Sequence, residues 1–222
     1  MTRPAGLLVL VRHGQSTDNE LNLFSGWRDP PLTARGVEEA REAGRRLKEL
    51  GLGFDVAFTS LLERARHTLT LMLVEMDQSG LPTIRSEALN ERDYGDLSGL
   101  NKEEARSVWG SEQVHLWRKS YDAVPPGGES LAMTAARMLP FWQREIDPRV
   151  LRGERVLVVA HGNSLRSIVK HLDGLAGDDI VGVHIATSEI LAYSMREDGR
   201  LVRSQLTATA GACQPTVATP TV

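Results

Sequence analysis

Cysteine, long apolar runs and net positive charge are all scarce in this sequence, and each shortage excludes a class of protein. Cys213 is the only cysteine in 222 residues, so no disulfide can form within the chain, as is typical of a reducing compartment. No apolar run approaches the roughly 18 residues of a membrane span, and the N-terminus does not have the pattern of a secretory signal. The net charge of −3 argues against general nucleic-acid binding. We therefore expect a cytoplasmic protein that binds neither nucleic acid nor membrane.

Metal-ligand spacing is also absent. The six histidines are dispersed, and neither a His-x-x-x-His pair nor a cysteine cluster accompanies them. The sequence therefore predicts chemistry without a bound metal.

Two apolar runs that each end in His-Gly are the most informative feature of the chain. Residues 7–11 precede Arg12 and His13, and residues 156–160 precede His161. Runs of this length and composition are typical of strands buried on both faces of a parallel sheet. Since ligands of such sheets bind at the carboxyl ends of the strands, we predict that the two histidines share one active site.

Helical and strand patterns alternate along the chain, which predicts a single three-layer α/β domain over residues 1–205. Its central sheet is expected to be mostly parallel, with helices on both faces. Residues 206–222 are rich in Thr, Ala, Gly and Pro and predict a flexible tail. Residues 15–31 are predicted to be a loop, Pro140 a helix kink, and Asp198-Gly199 a hairpin turn. Helices are predicted to begin near Thr33, Ser60, Asn101, Glu112, Ser130 and Ser164.

Several short motifs resemble those of the histidine phosphatase superfamily, and more narrowly those of the cofactor-dependent phosphoglycerate mutases. The resemblance covers about residues 7–175. The superfamily motifs are Leu10-Val11-Arg12-His13-Gly14, Thr59-Ser60 to Arg64, Leu89-Asn90-Glu91-Arg92 and Ala160-His161-Gly162-Asn163-Ser164. The mutase stretches are Gly26-Trp27, Tyr94-Gly95, Gly99-Leu100-Asn101-Lys102, Trp117-Arg118-Lys119 and Gly128-Glu129-Ser130-Leu131.

The resemblance implies an isomerase of glycolysis and gluconeogenesis that interconverts 3-phosphoglycerate and 2-phosphoglycerate, primed by 2,3-bisphosphoglycerate. It implies that His13 carries the phosphoryl group as phosphohistidine, surrounded by Arg12, Arg64 and His161. Glu91 would be the general acid and base. These residue types suit the chemistry, because neutral imidazole is nucleophilic and guanidinium groups match phosphoryl oxygens.

The same resemblance implies partners and ligands. The partners are small phosphorylated sugar acids and further copies of the chain, in a homo-oligomer that is a dimer or a tetramer. Gly14 and Gly162 would let the backbone approach the anion, and the helix near Ser164 would aim its positive end at it. The substrate ligands would be Arg12, Asn19, Ser25, Gly26, Arg64, Glu91, Tyr94, Lys102, Arg118, Lys119, Gly162 and Asn163.

The sequence departs from the family pattern at Ser188. Thr187-Ser188-Glu189-Ile190 stands where the family has Thr-Gly-x-Pro, which predicts a changed local backbone and an added negative charge. After Arg203 no basic residue follows.

Two other functions stay open at this point. The same histidine could serve a phosphomonoesterase in which water accepts the phosphoryl group, or the pocket could belong to a non-catalytic anion-binding module. Lys102, Arg118 and Lys119 favour the mutase, because a broad phosphatase has less need of a dedicated carboxylate site.

Overall fold

The computed structural model describes residues 6–177, 179–206 and 214–215, which form a sheet flanked by helices. In chain order the main elements are β1 (Leu7–Arg12), α1 (Thr17–Glu20), α2 (Ala34–Glu49), β2 (Val56–Thr59), α3 (Glu63–Glu75), β3 (Thr83–Arg85), α4 (Lys102–Trp109), α5 (Ser111–Lys119), α6 (Leu131–Phe141), α7 (Asp147–Leu151), β4 (Arg155–Ala160), α8 (Gly162–Asp173), β5 (Ile190–Met195), β6 (Leu201–Gln205) and β7 (Gln214–Pro215). Short 3₁₀ turns lie at Glu87–Leu89, Gly95–Leu97 and Asp179–Gly182, and a π-helical turn at Trp142–Ile146 joins α6 to α7.

The strands form one sheet in the order β3-β2-β4-β1-β5-β6-β7. Strands β1 to β4 and β6 run in one direction, while β5 and β7 run in the other. The predicted mostly parallel sheet is therefore confirmed. The predicted hairpin is confirmed as well, since β5 and β6 pair as antiparallel neighbours on either side of Asp198-Gly199.

Alternate side chains of β1 enter two separate cores. Leu8 and Leu10 pack on the face covered by α6, α7, α8 and the π-helical turn, whereas Val9 and Val11 pack on the face covered by α2 and α3. All four side chains are fully buried. Burial of each such side chain contributes about 1.5–3 kcal/mol. The uninterrupted apolar run is thus explained by helices on both faces, and the predicted three-layer arrangement is confirmed.

The central strands also bring the two histidines to one edge of the sheet. β1 and β4 are parallel neighbours, with Arg12 opposite Ala160. The next residues, His13 and His161, therefore leave the sheet side by side, and the His13 N–H donates to the carbonyl oxygen of Ala160 at 2.9 Å.

Three local predictions were wrong. Helix α1 lies in the segment predicted as a loop, because Ser16 and Asn19 cap each other's backbone N–H groups and so hold a single turn. Ser60 does not cap α3, which begins at Glu63. Helix α8 begins at Gly162, two residues before Ser164. The helix that contains Pro140 departs from α geometry directly after it, in the π-helical turn.

A smaller apolar cluster lies beside the carboxyl edge of the sheet, away from the two main cores. Phe24 and Leu97 pack there with Ala105 of α4 and with Val114 and Trp117 of α5. This cluster fixes α4 and α5 next to the loops that follow β1 and β3.

The predicted tail is described only at Leu206 and Gln214–Pro215, and the latter pair with β6. Its other residues lie outside the described part of the chain, so the flexibility of the tail stays a prediction. Within the described residues, no helix is both long and apolar enough to cross a membrane.

Candidate active site

His13 is held as a neutral imidazole with one nitrogen free to act as a nucleophile. Its side chain is buried, and Nδ1 donates to the carbonyl oxygen of Gly14 at 2.7 Å. Nε2 is therefore unprotonated, and it accepts a hydrogen bond from Arg64 Nε at 3.3 Å. Burial, followed by the charges of Arg64 and Arg12, lowers the pKa of His13 well below its usual value of 6.5.

His161 lies against His13 with 5.0 Å between ring centroids. Its Nε2 is 2.7 Å from Ser60 Oγ, and this oxygen also accepts a bond from the Leu62 N–H. The Ser60 hydroxyl proton is therefore free to be donated to Nε2, which leaves the imidazole proton on Nδ1. Nδ1 is buried and has no hydrogen-bond partner in the described part of the chain. Burial and the charge of Arg64 lower the pKa of His161 well below 6.5.

Two arginines surround the histidines. Arg64, on α3, is fully buried and donates to the carbonyl oxygens of Arg28 at 2.8 Å and Gly26 at 3.0 Å. Arg12, at the end of β1, donates through Nη1 to the carbonyl oxygen of Ile185 at 2.7 Å. Among the described residues, Arg12 Nε is a buried donor with no acceptor. An unpaired buried donor is costly, so this nitrogen is suited to an acceptor that arrives with a ligand.

Glu91 is buried with one carboxylate oxygen fixed and the other free. The side chain is 8% exposed, and Oε1 accepts the backbone N–H groups of Arg92 at 2.8 Å and Asn163 at 3.1 Å. Oε2 has no hydrogen-bond partner within the described residues and lies across from Arg12. A Cβ on Gly162 would be 3.8 Å from Oε2 and 3.7 Å from Arg12 Nε. The absence of that side chain leaves open the space between the carboxylate and the guanidinium.

A cavity of about 330 Å³ opens above this group. Its walls contain every predicted substrate ligand except Arg64, which, like His13 and His161, is not among the lining residues. The predicted residues in the walls are Arg12, Asn19, Ser25, Gly26, Glu91, Tyr94, Lys102, Arg118, Lys119, Gly162 and Asn163.

The wall of the cavity that α4 and α5 form is strongly cationic. Lys102, Arg118 and Lys119 lie there, and Lys102 Nζ donates to Asn22 Oδ1 at 3.2 Å. Burial, then Arg118, then Arg12 lower the pKa of Lys102 to about 8. An anion bound in the cavity would relieve this repulsion between like charges.

The expectation that Gly14 lets the backbone approach the bound anion was wrong. The Gly14 N–H does not face the cavity but donates to Thr68 Oγ1 at 3.0 Å. A Cβ on Gly14 would collide with the carbonyl oxygen of Gly36 on α2. Close packing between two backbones, rather than approach to a ligand, therefore requires glycine at this position.

Ser188, where the sequence departs from the family pattern, has an unusual backbone conformation. Its φ is 55°, the left-handed conformation that favours glycine. Its N–H donates to the carbonyl oxygen of Arg12 at 3.0 Å. The Glu189 carboxylate folds back to accept the Ala186 N–H at 2.6 Å, and Glu189 does not line the cavity.

Sequence analysis missed Arg166, which also lines the cavity. It donates through Nη1 to Asn163 Oδ1 at 3.2 Å and through Nη2 to the carbonyl oxygen of Ile180 at 2.6 Å. Helical periodicity could have found it, because residues three apart on a helix share one face. In the residues that the structure describes, no group of three or more His, Cys, Asp or Glu side chains could hold a metal ion.

Comparison with known proteins identifies the family. The model of the histidine phosphatase superfamily (branch 1) matches residues 8–206. A Parvibaculum lavamentivorans protein named 2,3-bisphosphoglycerate-dependent phosphoglycerate mutase is 59% identical over 200 residues, which are 90% of this chain and 95% of that protein. A protein of the same name from Methylobacterium sp. is 62% identical over 192 residues, which are 86% and 92% of the two chains.

The fold is shared with hydrolases as well. The crystal structure of the alpha-ribazole phosphatase from Shigella flexneri matches with a TM-score of 0.77 at 26% identity and covers 93% of this chain and 98% of that one. The predicted family is confirmed by the curated relatives: the chain belongs to the histidine phosphatase superfamily and, within it, to the 2,3-bisphosphoglycerate-dependent phosphoglycerate mutases.

Proposed function

We propose that the chain interconverts 3-phosphoglycerate and 2-phosphoglycerate through a phosphohistidine on His13, primed by 2,3-bisphosphoglycerate. The observation that carries the proposal is the unprotonated Nε2 of a buried neutral histidine, directly after Arg12, which lines a cavity with cationic walls. The name shared by relatives at 59% and 62% identity supports the same reaction.

The reaction consists of two phosphoryl transfers that the site residues can balance. In the first, His13 Nε2 attacks one phosphorus of 2,3-bisphosphoglycerate in line, the N–P bond forms, the P–O bond to the sugar acid breaks, and the Glu91 carboxyl proton goes to the leaving oxygen. In the second, the free hydroxyl of 3-phosphoglycerate attacks the phosphorus on His13, its proton goes to Glu91, the N–P bond breaks, and 2,3-bisphosphoglycerate is regenerated. We assign the transferred proton to Oε2 of Glu91, the carboxylate oxygen without a hydrogen-bond partner in the described residues.

Negative charge on the transferring phosphoryl group would be stabilised by hydrogen-bond donors that have few or no acceptors within the protein. Arg12 Nε and His161 Nδ1 are buried donors without acceptors in the described structure, and each could reach a phosphoryl oxygen. Arg64 Nε, which now donates to His13 Nε2, would transfer its bond to the phosphoryl group when that nitrogen attacks. The site thus exchanges protein contacts for substrate contacts as the reaction begins.

The residues present fit the bisphosphorylated primer. Its second phosphate and its carboxylate require cations in addition to Arg12 and Arg64, and Lys102, Arg118 and Lys119 supply them on the wall that α4 and α5 form. Burial and then the charge of Arg118 lower the pKa of Lys102, and a bound anion would favour its charged form. As further ligands we propose Asn19, Ser25, Gly26, Tyr94, Gly162 and Asn163.

The second candidate function is phosphomonoester hydrolysis at the same histidine. It is favoured by the structural match to an alpha-ribazole phosphatase, since the fold alone does not separate the two reactions. Water would then replace the sugar hydroxyl as the acceptor. Retention of the bisphosphorylated sugar acid by the cationic wall is what favours the mutase.

The decisive experiment measures 3-phosphoglycerate conversion and release of inorganic phosphate together, with and without 2,3-bisphosphoglycerate. We expect isomerisation to depend on the primer and to exceed hydrolysis. His13→Ala should abolish both turnover and acid-labile labelling, while His171→Ala, at the far end of α8, serves as the matched control. If the unaltered protein releases phosphate as fast as it isomerises the substrate, the mutase proposal is wrong and the chain is a phosphatase. The absence of phosphohistidine and of turnover would leave the anion-binding module.

Two remaining predictions complete the proposal. We propose a homo-oligomer, either a dimer or a tetramer, and a cytoplasmic location, because both accompany the glycolytic role that the family implies. Light scattering on the purified chain tests the first, and fractionation of the source cells tests the second.

A further inference from the structure

Arg137, on α6, contacts the loop that carries Glu91 more extensively than a surface arginine would. Its side chain is 19% exposed and forms an ion pair with Glu129, whose side chain is 16% exposed. The pair is bidentate, with Nε at 3.0 Å from Oε1 and Nη2 at 2.9 Å from Oε2. The two Nη atoms also donate, over 3.0–3.4 Å, to four successive or nearly successive carbonyl oxygens, those of Glu87, Ala88, Asn90 and Glu91.

Glu129 extends the same contact to the other side of Glu91. Its Oε2 accepts the Asp93 N–H at 3.1 Å, and its backbone carbonyl oxygen accepts Arg92 Nε at 2.6 Å. The ion pair therefore holds the chain immediately before and immediately after Glu91. Neither Arg137 nor Glu129 lines the cavity.

Trp27 completes the restraint on the Glu91 backbone. Its Nε1 donates to the Glu91 carbonyl oxygen at 2.6 Å, and its ring lies under the Arg137 guanidinium at 5.5 Å. The Glu91 main chain is thus fixed by two side chains, while the Glu91 carboxylate is fixed at Oε1 by two backbone N–H groups. A small displacement of this loop would move Oε2 relative to His13.

From this geometry we infer that Arg137 is a positioning residue for proton transfer, which holds the Glu91 carboxyl group where it can protonate the leaving oxygen. The inference rests on the proposed function, because it assumes that Glu91 is the acid. In the step concerned, the N–P bond to His13 forms, the P–O bond breaks, and the Glu91 proton goes to the leaving oxygen. A planar guanidinium fork can span the carbonyl oxygens and Glu129 together, whereas the single ammonium of a lysine cannot.

The test compares leaving groups that need a proton with one that does not. Phosphorylation of His13 by 2,3-bisphosphoglycerate expels an alkoxide that requires an acid, while p-nitrophenyl phosphate expels a phenolate that is stable without one. Arg137→Lys should slow labelling by 2,3-bisphosphoglycerate by about tenfold or more and leave the nitrophenolate burst within about threefold. Glu91→Gln should show the same selectivity more strongly, and the double variant should be no slower than Glu91→Gln alone.

Controls separate this role from general loosening of the fold. Arg149→Lys alters another partly buried arginine–glutamate pair, with Glu154, on the opposite end of the same helical layer. It should leave both substrates unaffected. If Arg137→Lys is too unstable to assay, Glu129→Gln, which keeps the shape of the partner, should give the same selectivity.

Equal losses on both substrates, or none on either, would overturn the inference for Arg137. Selective loss that adds fully to that of Glu91→Gln would also overturn it, because two residues acting through one proton transfer cannot have independent effects. A failure of the proposed function is recognised separately, by the absence of isomerisation and of acid-labile label in the unaltered protein.

Discussion

The two buried histidines predict a steep loss of stability on mild acidification. Both pKa values lie well below 6.5 in the folded protein, chiefly because burial disfavours the imidazolium and secondarily because Arg64 is close. In the unfolded chain each histidine takes up a proton as the pH falls through about 6.5. The folded state does not, so the stabilising contribution is present above pH 6.5 and is lost as the pH falls below it.

The magnitude follows from the number of protons that unfolding takes up. Each proton bound only by the unfolded state changes the free energy of unfolding by about 1.4 kcal/mol per pH unit, so His13 and His161 together give a limiting slope of about 2.7 kcal/mol per pH unit, approached below pH 6.5 while both rings stay neutral in the folded state. Against a typical stability of about 5–15 kcal/mol, this loss is large.

Urea unfolding at pH 7, 6 and 5, followed by circular dichroism, measures the effect. The matched comparison is His13→Gln/His161→Gln, in which neutral amides replace the two titrating rings. On acidification, the free energy of unfolding of the unaltered protein should fall more steeply than that of the double variant, with a difference in slope that approaches about 2.7 kcal/mol per pH unit below pH 6. Relative to His13→Gln alone, the difference in slope should be about half as large. His171→Gln, on an exposed position of α8, should retain the steep dependence. Parallel pH dependences for the unaltered protein and the double variant would refute the reasoning.

Three further predictions concern the metal, the cationic wall and the backbone. Activity should survive EDTA, because Arg12 and Arg64 supply the positive charge; complete loss that a divalent ion restores would contradict the mechanism. Arg118→Ala should raise the ratio of phosphate release to isomerisation, since the non-transferring anionic group is held less firmly, and an unchanged ratio measured in one coupled assay would remove only that assignment. Ser188→Gly should raise the free energy of unfolding by about 1 kcal/mol, because glycine adopts φ 55° without strain; lower stability in urea would contradict this.

Much of the architecture could be predicted because it depends on local patterns of apolar and polar residues. The apolar run of β1 predicts burial on both faces, and the fold provides it with α2 and α3 on one side and α8 on the other. The two histidines could be placed together because parallel strands end at a common edge. The substrate ligands came from the family resemblance, and all of them except Arg64 line the cavity.

Several of the errors share a physical cause, which is contact between residues remote in sequence. Ser60 has the residue type of a helix cap, but its hydroxyl is engaged by His161 from another strand. Gly14 reads as a ligand-binding turn, yet the backbone of Gly36 determines it. Nothing local distinguishes Arg137 from a solvated helix arginine, because its acceptors are carbonyl oxygens whose positions exist only after folding.

The position of β1 in the sheet has a consequence for biosynthesis. It is the first strand of this sheet in chain order, but its two neighbours, β4 and β5, come much later: Leu7 pairs with Arg155 on one side and with Ser194 on the other. At about 5–20 residues per second, a ribosome needs roughly 10–40 s to deliver both partners. During that interval a strand apolar on both faces has unpaired edges, so the nascent chain offers a natural substrate for chaperones.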